Sequence, residues 1–229
     1  MSPAPDGVPI RDAATVILVR RPDGGAPQVL MGQRGAGAAF MASKFVFPGG
    51  AVDPDDFALD AEVALEPATA RRLAVDTPPD LARALPLAAV RELWEETGLM
   101  LGRPDPEAAG RAVPPSWRGF YAAGLVPKVA GLRLVFRAVT PPGRPRRFDA
   151  RFFLAEARDL AAEDIEPSGE ELAHLAWLDL PAARRLVLPF VTEVVLAELE
   201  EMLAAPGPEP ARGVPYFQQG PEGSRFRML

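Results

Sequence analysis

Cysteine is absent from the 229 residues, and histidine occurs once, at position 174. The first absence excludes disulfide stapling, thiolate metal sites and a cysteine nucleophile. The lone His174 lies at the start of an apolar run and is expected to be structural rather than a general base. No stretch approaches an uncharged apolar span of membrane length, and the start "MSPAPDGVPIRD" lacks the basic residues and apolar core of a secretory leader. A soluble, cytoplasmic chain with no membrane partner is therefore expected. Positive charge is in the minority, with 25 Lys and Arg against 31 Asp and Glu and a net charge of −6. That balance argues against an extended nucleic-acid surface, and a phosphate-ester substrate would call for a mediating metal ion.

What is present is a globular composition, because 48% of residues are hydrophobic and only 24% are charged despite 27 prolines. The length suits one substantial α/β domain with extensions. The expected organisation is an N-terminal extension over 1–10, a domain over 11–205 and a tail over 206–229. "AATVILVR" (13–20) and "QVLMGQR" (28–34) read as neighbouring strands. "KFVFPGGAVD" (44–53) reads as a third strand broken at Pro-Gly-Gly. Two short helical stretches follow at about 54–78, then a long helix over Pro79–Thr97 with Gly98 placed for a left-handed cap. Residues 131–140, 149–157 and 174–180 read as further strands. Pro181–Ala204 reads as one amphipathic helix whose outer face leaves room for a homodimer. The tail, rich in Pro, Gly and Gln, is expected to run over the surface.

On the long helix, Glu92, Glu95 and Glu96 are spaced i, i+3 and i+4, so three carboxylates share one face within an arc of about 100°. Arg91 can pair with Glu95 at i, i+4. Alone, such a face reads equally well as a solvated acidic surface. As ligands, hard oxygens without histidine or cysteine suit Mg2+ or Mn2+.

"RELWEETGL" (91–99), together with Gly50 in "FPGG", resembles the signature of the Nudix hydrolases. That signature runs glycine, five residues, glutamate, seven residues, then Arg-Glu-aliphatic-any-Glu-Glu-any-Gly-aliphatic. Gly50 and Arg91 are 41 positions apart rather than 14, which leaves 27 extra residues as a helical insert. Counted back from Arg91, the signature's first glutamate falls on Arg83, so its role passes to Asp80 or to a residue of the insert.

The resemblance implies an α/β/α sandwich around a mixed sheet and hydrolysis of a nucleoside diphosphate linked to another moiety. It implies a metal ion held by Glu92, Glu95, Glu96 and the Gly49 carbonyl, with Arg91 orienting a glutamate. The general base is left between the signature glutamates and the acidic loop 163–171, where Glu170 is favoured. The long insert, "LMGQRGAGAAFMASKFVFPGG" and "PRRFDARFFLA" are similar to the coenzyme A diphosphatases of peroxisomes and their bacterial relatives. Arg34 matches an arginine of the related coenzyme A signature, whereas Ala39 and Ser43 depart from it. Arg34, Gly50, Arg146 and Arg147 are the expected substrate contacts, within a basic cluster that includes Arg144 and Arg151. Coenzyme A or an acyl ester is the leading substrate. ADP-ribose, NADH or a non-catalytic nucleotide-binding module are the alternatives.

Overall fold

The computed structural model describes residues 7–35, 43–162, 172–204, 213–220 and 223–229. Its strands are β1 (Ile10–Arg20), β2 (Gln28–Arg34), β3 (Phe45–Val46), β4 (Gly49–Ala51), β5 (Gly102–Pro104), β6 (Leu125–Pro127), β7 (Arg133–Val139), β8 (Arg147–Glu156), β9 (Leu172–Asp179), β10 (Pro215–Gly220) and β11 (Gly223–Met228). The α-helices are α1 (Pro54–Ala58), α2 (Pro67–Leu73), α3 (Pro79–Thr97), α4 (Arg118–Ala122), α5 (Leu180–Ala183) and α6 (Phe190–Ala204). Nine strands form one sheet in the order β11-β10-β7-β8-β1-β2-β3, with β4 also pairing β1 and β9 also pairing β2. The β1–β8 and β10–β7 pairs are parallel, which makes the sheet mixed.

β1 lies inside the sheet, and its alternating side chains feed two cores. Ala14, Val16 and Leu18 pack on the face that also receives Leu85, Ala88 and Leu93 of α3. Ile17 and Val19 pack on the other face with Val195, Leu196 and Leu199 of α6. The result is the α/β/α sandwich expected from the sequence. Gly98 ends α3 at φ 74°, with its N–H donating to the Trp94 carbonyl at 2.8 Å.

Three elements differ from expectation. α3 is buried nearly all round, because α1, α2 and the 108–122 segment cover its outer side. Leu59 and Leu73 of the insert are buried in the α3 core, and Phe120 packs edge-on against Trp94 at 5.7 Å. Burying such a leucine contributes about 1.5–3 kcal/mol, so the insert is a packed cover rather than a surface excursion.

The expected helix over 181–204 is split into α5 and α6, with Pro189 just before α6. Proline has no N–H to donate and disfavours helical geometry in the residue before it. The tail does not simply run over the surface either. β10 and β11 form a hairpin that extends the sheet through β7. The Tyr216 ring lies between the guanidinium groups of Arg137 and Arg227, at 4.4 and 4.7 Å, and Arg227 pairs with Asp76 of the insert.

Candidate active site

β4 and α3 bring the two parts of the signature together. β4 runs antiparallel to β1 with Gly49 opposite Thr15 and Gly50 opposite Ala14. Its backbone lies so close that a Cβ on Gly49 would come within 2.5 Å of the Ala14 carbonyl oxygen. On the other side, a Cβ on Gly50 would stand 2.5 Å from the Glu92 carboxylate. Only glycine lets the strand be pressed between β1 and α3. The Gly49 N–H then donates to Glu96 Oε2 at 2.8 Å.

Arg91 organises the remaining acids. Its side chain is 6% exposed, and its five N–H donors all have acceptors. Nε and Nη2 donate to the two Asp56 carboxylate oxygens at 2.9 Å each, and Nη2 also donates to the Ala51 carbonyl at 3.0 Å. Nη1 donates to Glu92 Oε1 at 2.9 Å and to Glu95 Oε2 at 2.7 Å. Burial opposes the charge on Arg91, but the hydrogen bond to Asp56 and the fields of Glu92, Asp56 and Glu95 outweigh it. The guanidinium is held well above its ordinary value.

Asp56 was not singled out in the sequence, yet it is fully buried. It also accepts from the Asp53 N–H at 2.8 Å, closing a capping box at the start of α1. A forward count would have found it, because Gly50 plus five residues leads to position 56, the signature's first acid. The extra residues therefore follow Asp56. Arg83 has a separate task, donating to the Leu59 and Ala61 carbonyls at 2.5 and 3.1 Å and so tying down the chain that leaves α1.

Burial dominates at Glu92 and, although Arg91 partly offsets it, pushes the carboxyl up to about 7. Glu96 is 3% exposed, whereas the Glu95 side chain is 38% exposed. Among the described residues, no three acidic or histidine side chains are grouped to hold an ion as they stand. The donor set nevertheless fits one. A half-buried carboxylate under this pressure, beside two more on the same helix face, gains by facing a hard cation.

Beside Glu92 and Glu96 opens a cleft of about 260 Å³ between β4, β1, β8 and α6. Arg11, Arg34 and Arg146 line it, as do Phe148 and the backbone of Gly49 and Gly50. Of the expected substrate contacts, Arg34, Gly50 and Arg146 thus come together. Arg147 does not join them. Alternation along β8 turns it to the opposite face from Phe148, Ala150 and Phe152, and its Nε donates to the Thr140 carbonyl at 3.1 Å. Arg151 shares that opposite face and is 1% exposed, paired with Asp12 at 2.5 Å and Asp149 at 3.3 Å. Asp149 also accepts two hydrogen bonds from Arg137, at 2.9 and 2.6 Å. Phe148, which the sequence offers either as a stacking partner for a base or as a core anchor, lines the cleft. His174 is exposed, and Trp177 lies under Arg20 at 4.6 Å rather than in the cleft. Glu170 and the rest of 163–171, like Ala39, fall outside the described residues.

No family model matches the chain. Among curated proteins it is 28% identical over 178 residues to a Caenorhabditis elegans protein provisionally named nudix hydrolase 7. The match covers 74% of this chain and 51% of that protein, so the chain spans about half the length of its relative. Among solved structures, a Nudix hydrolase from Alicyclobacillus acidocaldarius is 27% identical with a TM-score of 0.65, over 89% of this chain and 99% of that one. The NUDIX domain of Shewanella oneidensis NrtR, solved with ADP ribose, is 13% identical with a TM-score of 0.50. It covers 85% of this chain and 89% of that domain, a likeness of fold alone. The first two likenesses support a hydrolase of the Nudix family. Among the described residues, no helix is long and apolar enough to cross a membrane.

Proposed function

We propose that this Nudix-fold chain is a metal-dependent hydrolase that cleaves the diphosphate bond of a nucleoside diphosphate joined to another moiety. One observation carries the reading: a buried arginine holds Glu92 and Glu95 of α3, with Glu96 beside them on the same helix, at the end of a cleft that arginines line elsewhere. Attack of water on a diphosphate requires neutralised charge and fixed geometry. Glu92, Glu95, Glu96 and the Gly49 carbonyl would hold Mg2+ or Mn2+, which supplies charge neutralisation and lowers the pKa of a bound water. Arg91 positions Glu92 and Glu95, and the Glu96 carboxylate holds β4 at the cleft floor. The base is assigned to the signature glutamates or to Glu170.

Coenzyme A or its acyl esters lead among substrates, supported by the stretches around Arg34 and Arg146. ADP-ribose and NADH are the next candidates. Purified protein with Mg2+, incubated with these compounds and analysed by product mass, tests the reading. Two phosphomonoester products from a single compound are the expected result. No cleavage of any diphosphate-linked nucleotide with Mg2+ or Mn2+ would overturn it in favour of a binding module.

A further inference from the structure

Sheet edges leave backbone donors and acceptors unpaired, and the edges of this sheet are treated differently. β3 is two residues long and its outer side is capped, since the Phe45 N–H donates to the Val187 carbonyl and Lys44 Nζ to the Leu188 carbonyl, each at 3.0 Å. β9 is interrupted by a bulge where it passes Met31 and Gln33 of β2, and there His174 takes φ 51°. β11 has neither device. Its six residues keep one register with β10 and are all exposed, and among the described residues no strand lies on its outer side.

The direction of its unpaired groups follows from the end of the hairpin. Val214 and Leu229 exchange both backbone hydrogen bonds, at 3.0 and 2.8 Å. Bonded and non-bonded pairs alternate along an antiparallel ladder, so Tyr216 with Arg227 and Gln218 with Arg225 are bonded pairs, whereas Phe217 with Phe226 is not. The N–H and C=O groups of Ser224, Phe226 and Met228 therefore point away from β10. The side chains of these three residues share one face, where Phe226 stands opposite Phe217 and the Phe190 ring lies 6.1 Å from that of Phe217. A row of three rings thus ends at the open edge. Its outer members are poorly covered, Phe190 being 71% and Phe226 55% exposed, and Met228 beside them is 46% exposed.

We propose that β11 is a homodimer interface, in which two copies pair their β11 strands antiparallel about a two-fold axis at Phe226 and so continue the sheet from one copy into the other. This axis leaves no outward group over. Phe226 bonds to Phe226 of the other copy, and Ser224 bonds to Met228 on either side, so all three outward N–H and all three outward C=O groups of each strand are used. The same axis joins the two rows of rings into one and covers apolar surface that a single copy leaves in water. On the reverse face Arg225 comes opposite Arg227 of the other copy, whose charge Asp76 already offsets. Because both copies use the same edge, the assembly closes at two.

Sedimentation equilibrium of the full chain at rising concentration tests the interface. Wild type should approach twice the 24.5 kDa of one chain. Phe226→Lys, at an exposed position, brings two cations together at the axis and should raise the dissociation constant at least about tenfold. Phe226→Pro removes an outward N–H that β10 does not use and should act in the same direction. Phe57→Lys, the same change at an exposed phenylalanine of α1, should leave association unchanged. A cysteine-free chain also allows the register to be checked, because residues facing each other in a bonded pair lie about 5.5 Å apart between Cα atoms, within reach of a disulfide. Mild oxidation should therefore link two copies of the Phe226→Cys variant much faster than two copies of Phe57→Cys. Wild type that keeps the mass of one chain up to about 100 µM overturns the proposal. A dimer that survives Phe226→Lys overturns it too, as does equal cross-linking of the two cysteine variants.

Discussion

Two buried arginine networks lie on the α3 side of the sheet, and they differ in balance. Beside the start of α3, Arg137 and Arg151 share Asp149, and Arg151 also holds Asp12, so two cations meet two carboxylates. Further along α3, Arg91 alone serves Asp56, Glu92 and Glu95. The first arrangement needs nothing more. The second carries surplus negative charge in a partly desolvated place, and so invites a cation. Burial of charge does not distinguish a site from a structural network; imbalance does.

The largest expected effects treat the two networks alike. Asp56→Ala leaves Arg91 buried without its bidentate partner, and Asp149→Ala does the same to Arg137 while Arg151 keeps Asp12. Each should cost about 3–5 kcal/mol in denaturant unfolding. A loss under about 1 kcal/mol at Asp56 would mean that water reaches Arg91. Glu96→Gln should separate the networks. It keeps an oxygen acceptor for the Gly49 N–H and removes one charge, so a normal melt with a rate loss of about 100-fold or more is expected. Near-normal turnover at saturating Mg2+ would remove Glu96 from the metal site.

The second network should also respond to pH. The folded Glu92 carboxyl holds its proton up to about 7, above the 4.5 of an unperturbed glutamate. Its contribution to stability is therefore fully present below about 4.5 and is lost as pH rises through about 7. With metal chelated, wild type should lose roughly 2–3 kcal/mol of stability between pH 5 and 8 that Glu92→Gln retains. Identical pH profiles for the two proteins would contradict the imbalance. The smallest effect is expected at Arg83→Ala, which removes the hydrogen bonds to the Leu59 and Ala61 carbonyls. About 1 kcal/mol of stability should go, with kcat unchanged, because Arg83 belongs to neither network.

Local pattern made the strands, α3 with its Gly98 cap and the shared face of Glu92, Glu95 and Glu96 readable in the sequence. Asp56 was equally readable, but only by counting forward from Gly50; a count back from Arg91 crosses the insert and lands on Arg83. Other features depend on contacts remote along the chain. Arg11 reaches the cleft because β1 pairs in parallel with β8, more than a hundred residues away, and no local periodicity reports that pairing. The same holds for the tail, whose Pro, Gly and Gln content hides a hairpin completed by β7. The packing of the insert depends on Leu59 and Leu73 meeting α3, which a helix-by-helix reading does not show.

The guanidinium groups on both faces of Tyr216 have an optical consequence. The chain has two tyrosines, Tyr121 and Tyr216, and both are buried. Burial raises the pKa of each phenol, and at Tyr216 the nearby Asp149 charge adds to the rise. Phenolate absorbance should therefore rise at higher pH than for free tyrosine, and at lower pH once a ring is released. Because Tyr216 fastens the C-terminal hairpin to β7 and, through Arg227, to the insert, an ultraviolet titration at rising pH would time the undocking of that hairpin without any added label.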